Sequence, residues 1–172
     1  HVPEFVALSD GNENDMVKGR DFQFPKGSIV AFDKGYVDYG WYKSLTDKGV
    51  FFVTRLRPNS IYKVLDRREC DRSQGITSDQ IIQLNSAHAL KRGAPRLRRV
   101  GYYDKETRKH YVFVTNHFGL CAATIAAIYK DRWRIEIFFK TIKQNLQIKA
   151  FVGTSRNAVL SQIWIAMITY LL

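Results

Sequence analysis

Apolar positions along this chain change their spacing twice, and those changes divide it into three stretches. In the first, Val2–Leu8 alternates as a strand does, and a polar turn at Asp10-Gly11-Asn12 leads to a short helical segment around residues 14–21. Ser28–Phe32 (SIVAF) is a near-continuous apolar run bounded by Gly27 and Asp33, the pattern of a central strand buried on both faces. Asp38 can cap a helix over Tyr39–Lys48 that stops at Gly49, and Val50–Leu56 (VFFVTRL) reads as another buried strand. Strand, helix and strand within about 30 residues make a βαβ unit with a parallel strand pair.

Between Arg57 and Phe118 the runs shorten and turn residues multiply. Ile61–Leu65, Gln80–Leu84, Arg96–Tyr103 and His110–Thr115 read as strands, the last two joined as a hairpin through Asp104-Lys105-Glu106-Thr107. From about Cys121 to Lys149 there is neither Pro nor Gly, and Ala, Ile, Lys and Arg are common, so one long helix is expected. A terminal helix follows Phe151-Val152-Gly153-Thr154. Its apolar run Ala158–Leu172 is interrupted by Ser161, Gln162 and Thr169 and is short for a membrane span, so it reads as a buried helix. The expected division is residues 1–56 as the first part of an α/β core, 57–118 as a mostly β insertion, and 119–172 as the remainder of the core.

Along the long helix, Tyr129, Arg132, Glu136 and Lys143 stand at offsets of three, seven and fourteen residues. At 3.6 residues per turn they fall within an arc of roughly 60°. Ile128, Ile135, Phe139, Ile142 and Leu146 form a second stripe, rotated by roughly 80°, so one flank can pack on a core while the polar flank faces a cleft. A carboxylate flanked by a phenol, a guanidinium and an ammonium suits a metal-dependent reaction on a phosphodiester. Spacing alone also allows an ordinary solvated face with an i,i+4 Arg132–Glu136 pair.

Charge favours the first reading. The formal net charge is +11, and it is uneven: residues 1–54 carry 6 Lys and Arg against 8 Asp and Glu, residues 55–110 carry 14 against 6, and residues 111–172 carry 7 against 2. Such a distribution fits a polyanion bound across the second and third stretches, where Arg96, Arg98 and Arg99 add to the excess. The two cysteines, Cys70 and Cys121, are far apart and fit a reduced compartment. His117 and Cys121 have a zinc-compatible spacing but fall short of the four ligands of a structural site.

Asp33 ends the SIVAF run, and ligands of open α/β sheets bind beyond the carboxyl ends of strands. A turn aspartate satisfying nearby backbone N–H groups is the plainer alternative. If Asp33 and Glu136 converge, their oxygens suit Mg2+ or Mn2+, and two such ions can drive in-line displacement at phosphorus.

Tyr129-x2-Arg132-x3-Glu136-x6-Lys143 resembles the YREK signature of the DDE transposases of bacterial insertion sequences, the group typified by insertion sequence four. DKGYVDYGWY at Asp33–Tyr42 resembles the segment carrying that family's second catalytic aspartate, and YKDRWRIEIFFKTIKQNL at Tyr129–Leu146 resembles its glutamate helix. The resemblance covers essentially the whole chain. It implies an RNase H-like α/β fold, a mixed sheet flanked by helices with a β-rich insertion before the glutamate helix. It implies Asp33 and Glu136 as catalytic metal ligands, with two Mg2+ or Mn2+ ions in the intact protein, and Tyr129, Arg132 and Lys143 as phosphate-binding residues.

The implied partners are double-stranded DNA, as transposon ends and target, and further copies of the protein. The implied setting is the bacterial cytoplasm, at the nucleoid and away from membranes. Tyr129 to Glu136 and Glu136 to Lys143 are each about 10 Å of helix rise, so the stripe is expected to follow a DNA strand with Glu136 at the scissile phosphate. Lys140 can extend that track or stay solvated, and Trp133 can stack a base or pack against the insertion.

The family's first aspartate has no counterpart here and is expected upstream of His1, on a first strand that this chain lacks. The absence of an initiator Met, and an end at Leu172 inside an apolar helical pattern, agree with a fragment inactive by itself. A non-catalytic DNA-binding remnant and an RNase H-like nuclease without strand transfer are the alternatives.

Overall fold

A computed structural model describes residues 19–145 and 155–171. The strand expected at Val2–Leu8 and most of the helical segment around residues 14–21 lie outside the described residues. The described chain divides into two compact units at Asp131/Arg132.

The first unit is built on a six-stranded mixed sheet of order β1-β2-β6-β5-β4-β3. Its strands are β1 (Ile29–Ala31), β2 (Phe51–Arg55), β3 (Tyr62–Arg67), β4 (Ile76–Leu84), β5 (Arg96–Asp104) and β6 (Lys109–Thr115). β1 and β2 pair in parallel, with Val30 opposite Phe52, and all other pairings are antiparallel. Between them runs α1 (Tyr39–Asp47), whose first turn is capped by Asp38 accepting from the Trp41 N–H at 2.9 Å. The chain leaves α1 through Gly49 in the left-handed region, φ 68°. The βαβ unit expected from the apolar runs is therefore present.

β2 is buried on both faces because Phe52 and Val53 point to opposite sides of the sheet. On one face Phe52, Ile82, Leu97 and Val114 pack with Tyr42 and Leu45 of α1 and Ala89 of α2 (Ala87–Lys91). On the other, Val53, Val100 and Phe113 pack with Ile125, Ala126 and Tyr129 of α3 (Ala122–Asp131). β1 differs from expectation. Among the described residues it ends the sheet, pairing on one side only, and Ile29 is exposed.

Residues 57–118 supply β3–β6 and the short α2, and these strands continue the sheet that begins with β1 and β2. The junction is the antiparallel β2–β6 pairing, where Thr54 lies opposite Val114. The hairpin turn after Asp104 forms as expected, with Asp104 Oδ1 accepting from the Glu106 N–H at 3.0 Å. Gly75 enters β4 at φ 80°, and a Cβ there would stand 2.6 Å from the Tyr103 carbonyl oxygen. That oxygen is backbone held in the sheet and cannot yield. Gly75→Ala is expected to cost about 2 kcal/mol by adding this clash to a disfavoured backbone conformation, read as a lower midpoint in urea with unchanged slope.

The single helix expected over residues 121–149 is two. α3 ends at Asp131, and α4 (Trp133–Asn145) begins after the one residue Arg132, whose carbonyl accepts from the Ile135 N–H at 3.1 Å in a tightened turn. No Pro or Gly marks this interruption. Because the helix restarts there, a 3.6-residue projection drawn through Arg132 loses its phase. Among the described side chains of α4, Phe138 is buried, whereas Ile135 and Phe139 of the expected packing stripe are exposed.

In the second unit α4 packs on α5 (Arg156–Leu171) through Phe138, Met167 and Ile163. Contrary to the expectation of a buried helix, α5 leaves Trp164, Ile165 and Ile168 exposed. Its apolar residues surround the helix, and α4 covers one stripe of them. Among the described residues no helix is long and apolar enough to cross a membrane.

Candidate active site

β1 ends at Ala31, and two residues later Asp33 opens a 3-10 turn over Lys34–Tyr36. The turn fixes one carboxylate oxygen: Asp33 Oδ1 accepts from the Gly35 N–H at 2.9 Å. Oδ2 faces elsewhere, 3.5 Å from the Tyr129 hydroxyl, which is long for a hydrogen bond between a hydroxyl and a carboxylate. The two ways of reading Asp33 are thus compatible. One oxygen serves the turn, and the other is presented at the carboxyl end of a parallel strand.

Tyr129 reaches that position from α3. It is 2% exposed, and its ring packs on Phe113 with centroids 4.9 Å apart. A phenol seated in the core can project its hydroxyl beyond the strand ends while its ring anchors the geometry. Asp33 and Tyr129 are 96 positions apart in sequence, and the fold of the first unit brings them together.

Upstream of Tyr129 the chain is clamped where α3 begins. Arg98 on β5 is 2% exposed and forms a two-pronged ion pair with Asp79 on β4, Nε to Oδ1 at 2.8 Å and Nη2 to Oδ2 at 2.6 Å. Its Nη1 donates to the carbonyls of Phe118, at 3.3 Å, and Leu120. His117 secures the same turn, its Nδ1 accepting from the N–H groups of Gly119 and Leu120 at 3.1 and 3.2 Å. Burial, and then the Arg98 charge, hold that imidazole below the usual histidine range, so it stays neutral and able to accept. Arg98 therefore serves the interior, not the basic surface to which the sequence assigned it. Arg99 is similarly occupied, donating to Ser78 Oγ and Gln80 Oε1 at 2.9 and 3.1 Å with its guanidinium over the Tyr62 ring.

In the second unit, Arg132 Nη2 donates to Glu136 Oε1 at 2.8 Å, the i,i+4 pair that the spacing allowed. The Arg132 side chain is 13% exposed and that of Glu136 60%, so the carboxylate stands in solvent and the guanidinium is sheltered beside it. Trp133 is partly exposed. The Lys143 side chain lies outside the described residues. The four signature residues thus do not share one uninterrupted helix. Tyr129 stands in the last turn of α3, Arg132 is the intervening residue, and Glu136 and Lys143 belong to α4.

Among the described residues no three His, Cys, Asp or Glu side chains cluster as metal ligands. The donors proposed from the sequence are nonetheless of the right chemistry. Mg2+ is commonly held by one or two carboxylates, with water and substrate phosphate completing its octahedron. Asp33, with one oxygen fixed and the other presented, fits the part of one such ligand. Sequence reasoning passed over Lys34 and Arg57, which line an open groove together with Asp33. The available signal was positional: Arg57 follows the β2 strand as Asp33 follows β1.

Comparison with known proteins agrees with this geometry. The family model described as "Transposase DDE domain" matches residues 1–172. A protein of Sinorhizobium fredii named as the transposase y4zB is 38% identical over 176 residues, covering 99% of this chain and 48% of its own length. A transposase named for insertion sequence element IS5377 in Geobacillus stearothermophilus is 30% identical, covering 99% of this chain and 45% of the relative. One named for element IS4SA in Synechocystis is 37% identical, with corresponding shares of 99% and 48%. The chain spans about half the length of these relatives. With a mixed α/β sheet flanked by helices and a family match along its whole length, the chain belongs to the DDE transposases.

Proposed function

We propose that the protein of which this chain is part cleaves DNA at transposon ends in a metal-dependent reaction and transfers the freed strand to target DNA. The observation that carries this reading is the meeting of Asp33 Oδ2 with the Tyr129 hydroxyl at the carboxyl end of β1. It joins the strand-end carboxylate to the first residue of the YREK signature. Asp33 and Glu136 are the proposed metal ligands, and Tyr129, Arg132 and Lys143 the proposed phosphate contacts. Divalent ions, when bound, would activate the attacking oxygen and stabilise the leaving one.

The chain's own residues do the positioning. Gly35 N–H holds the Asp33 carboxyl group in one rotamer. The buried Tyr129 ring keeps a hydroxyl donor beside it, where an anionic phosphate oxygen can take up the same hydrogen bond. Arg132 offers a planar fork suited to a phosphate. Its pairing with the exposed Glu136 contributes little energy, since such pairs are weak in water, so a phosphate can compete for the guanidinium.

The test uses the full-length protein with duplexes carrying the terminal sequences that flank its gene. Nicking that frees a 3′-hydroxyl, followed by joining to a target duplex, is expected in Mg2+. Nicking without joining would leave a nuclease, and binding without either reaction would leave a DNA-binding remnant. Arg132→Ala is expected to weaken end binding and to reduce the slope of log K against log salt by about one. An unchanged slope rules out a phosphate contact at Arg132.

A further inference from the structure

Beyond the signature residues, the structure assigns a second DNA contact: the open groove beside Asp33 takes the phosphodiester backbone, held by Lys34 and Arg57. This rests on the DNA-acting function proposed above and extends it to residues outside the YREK signature. The groove lies within the first unit and is lined by Asp33, Lys34, Arg57, Asn59, Ser60 and Ser86, among others.

Its position follows from topology. β1 and β2 are parallel neighbours, so their carboxyl ends open on the same side of the sheet. Asp33-Lys34-Gly35 follows β1, and Arg57-Pro58-Asn59-Ser60 follows β2. The crevice beyond the carboxyl ends of parallel strands is where open α/β sheets bind their ligands. The second loop is built to stay there. Leu56 N–H donates to the Val112 carbonyl at 2.9 Å, Ser60 N–H closes a turn on the Arg57 carbonyl at 3.1 Å, and Asn85 N–H ties Ile61 to the end of β4 at 2.9 Å.

The charge of the groove points to the occupant. Lys34 and Arg57 are both exposed, and among the described residues neither takes part in an ion pair. Some cations elsewhere are engaged: Arg98 with Asp79, Lys130 with Asp104 and Glu106, Lys43 with Asp47. Asn59, Ser60 and Ser86 add neutral polar side chains of the kind that hydrogen-bond phosphate and sugar oxygens without reading sequence. A polyanionic strand passing Asp33 would meet these two cations in a groove that continues from that carboxylate.

The experiment measures binding of the full-length protein to transposon-end duplex across a salt series. Lys34→Gln with Arg57→Gln is expected to flatten the slope of log K against log salt by about two, one for each cation removed. The control is the same reduction of charge at Lys105 and Arg108, exposed at the β5–β6 turn and outside the groove lining, which is expected to leave the slope nearly unchanged. Equal flattening by both pairs means that net charge alone is responsible, and overturns the groove. No flattening by the groove pair, with Arg132→Ala still effective, overturns the groove and leaves the proposed function standing. Failure of the unaltered protein to bind DNA overturns both.

Discussion

Replacing Glu136 by Gln, or Asp33 by Asn, in the full-length protein is expected to lower Mg2+-dependent nicking of transposon ends by about a thousandfold or more while DNA binding persists. Both substitutions keep the side chain's shape and remove its charge, which is the property that a hard divalent ion requires. Neither should unfold the protein. The Asp33 oxygen that accepts from Gly35 N–H has an amide oxygen as its replacement in Asn, so the 3-10 turn keeps its hydrogen bond. Glu136 is exposed, and its pair with Arg132 contributes little to stability. Thermal melting close to that of the unaltered protein therefore separates lost chemistry from lost structure. Nicking that survives either change at a comparable rate removes that residue from the proposed metal ligands.

The largest effect on stability is expected from Asp79→Ala, a loss of about 3–5 kcal/mol. Arg98 is almost wholly buried and cannot shed its proton, so without Asp79 a guanidinium is left in the interior with only two carbonyl partners. For a chain of this size the loss corresponds to a fall in Tm of roughly 6–20 °C. Asp79→Leu combined with Arg98→Met, which removes both charges, is expected to recover much of it. A Tm for Asp79→Ala within about 2 °C of the original would show that the pair carries no such load. The pair also has a bearing on the site. Arg98 grips the backbone at Phe118 and Leu120, immediately before α3, and α3 carries Tyr129 to Asp33. Loosening that grip is expected to disturb Tyr129 even where the protein remains folded.

The sequence alone determined the elements whose signals are local. SIVAF, the Asp38 cap, Gly49 and VFFVTRL specify strand, helix and strand, because cap chemistry and apolar period act over a few residues. The β5–β6 hairpin is legible for the same reason, and the YREK spacing marked the family without any knowledge of packing. Tertiary structure decided the rest. No residue type announces the interruption at Arg132, since helix continuity there depends on what each flanking segment packs against. Arg98 reads as surface charge until β4 and β5 pair and set Asp79 beside it. Strands β3–β6 read as a mostly β insertion, and only their pairing, β6 onto β2, shows that they extend the sheet begun by β1 and β2. The meeting of Asp33 with Tyr129, 96 positions apart, is likewise a product of packing, because nothing in local periodicity encodes which distant segments will share a face.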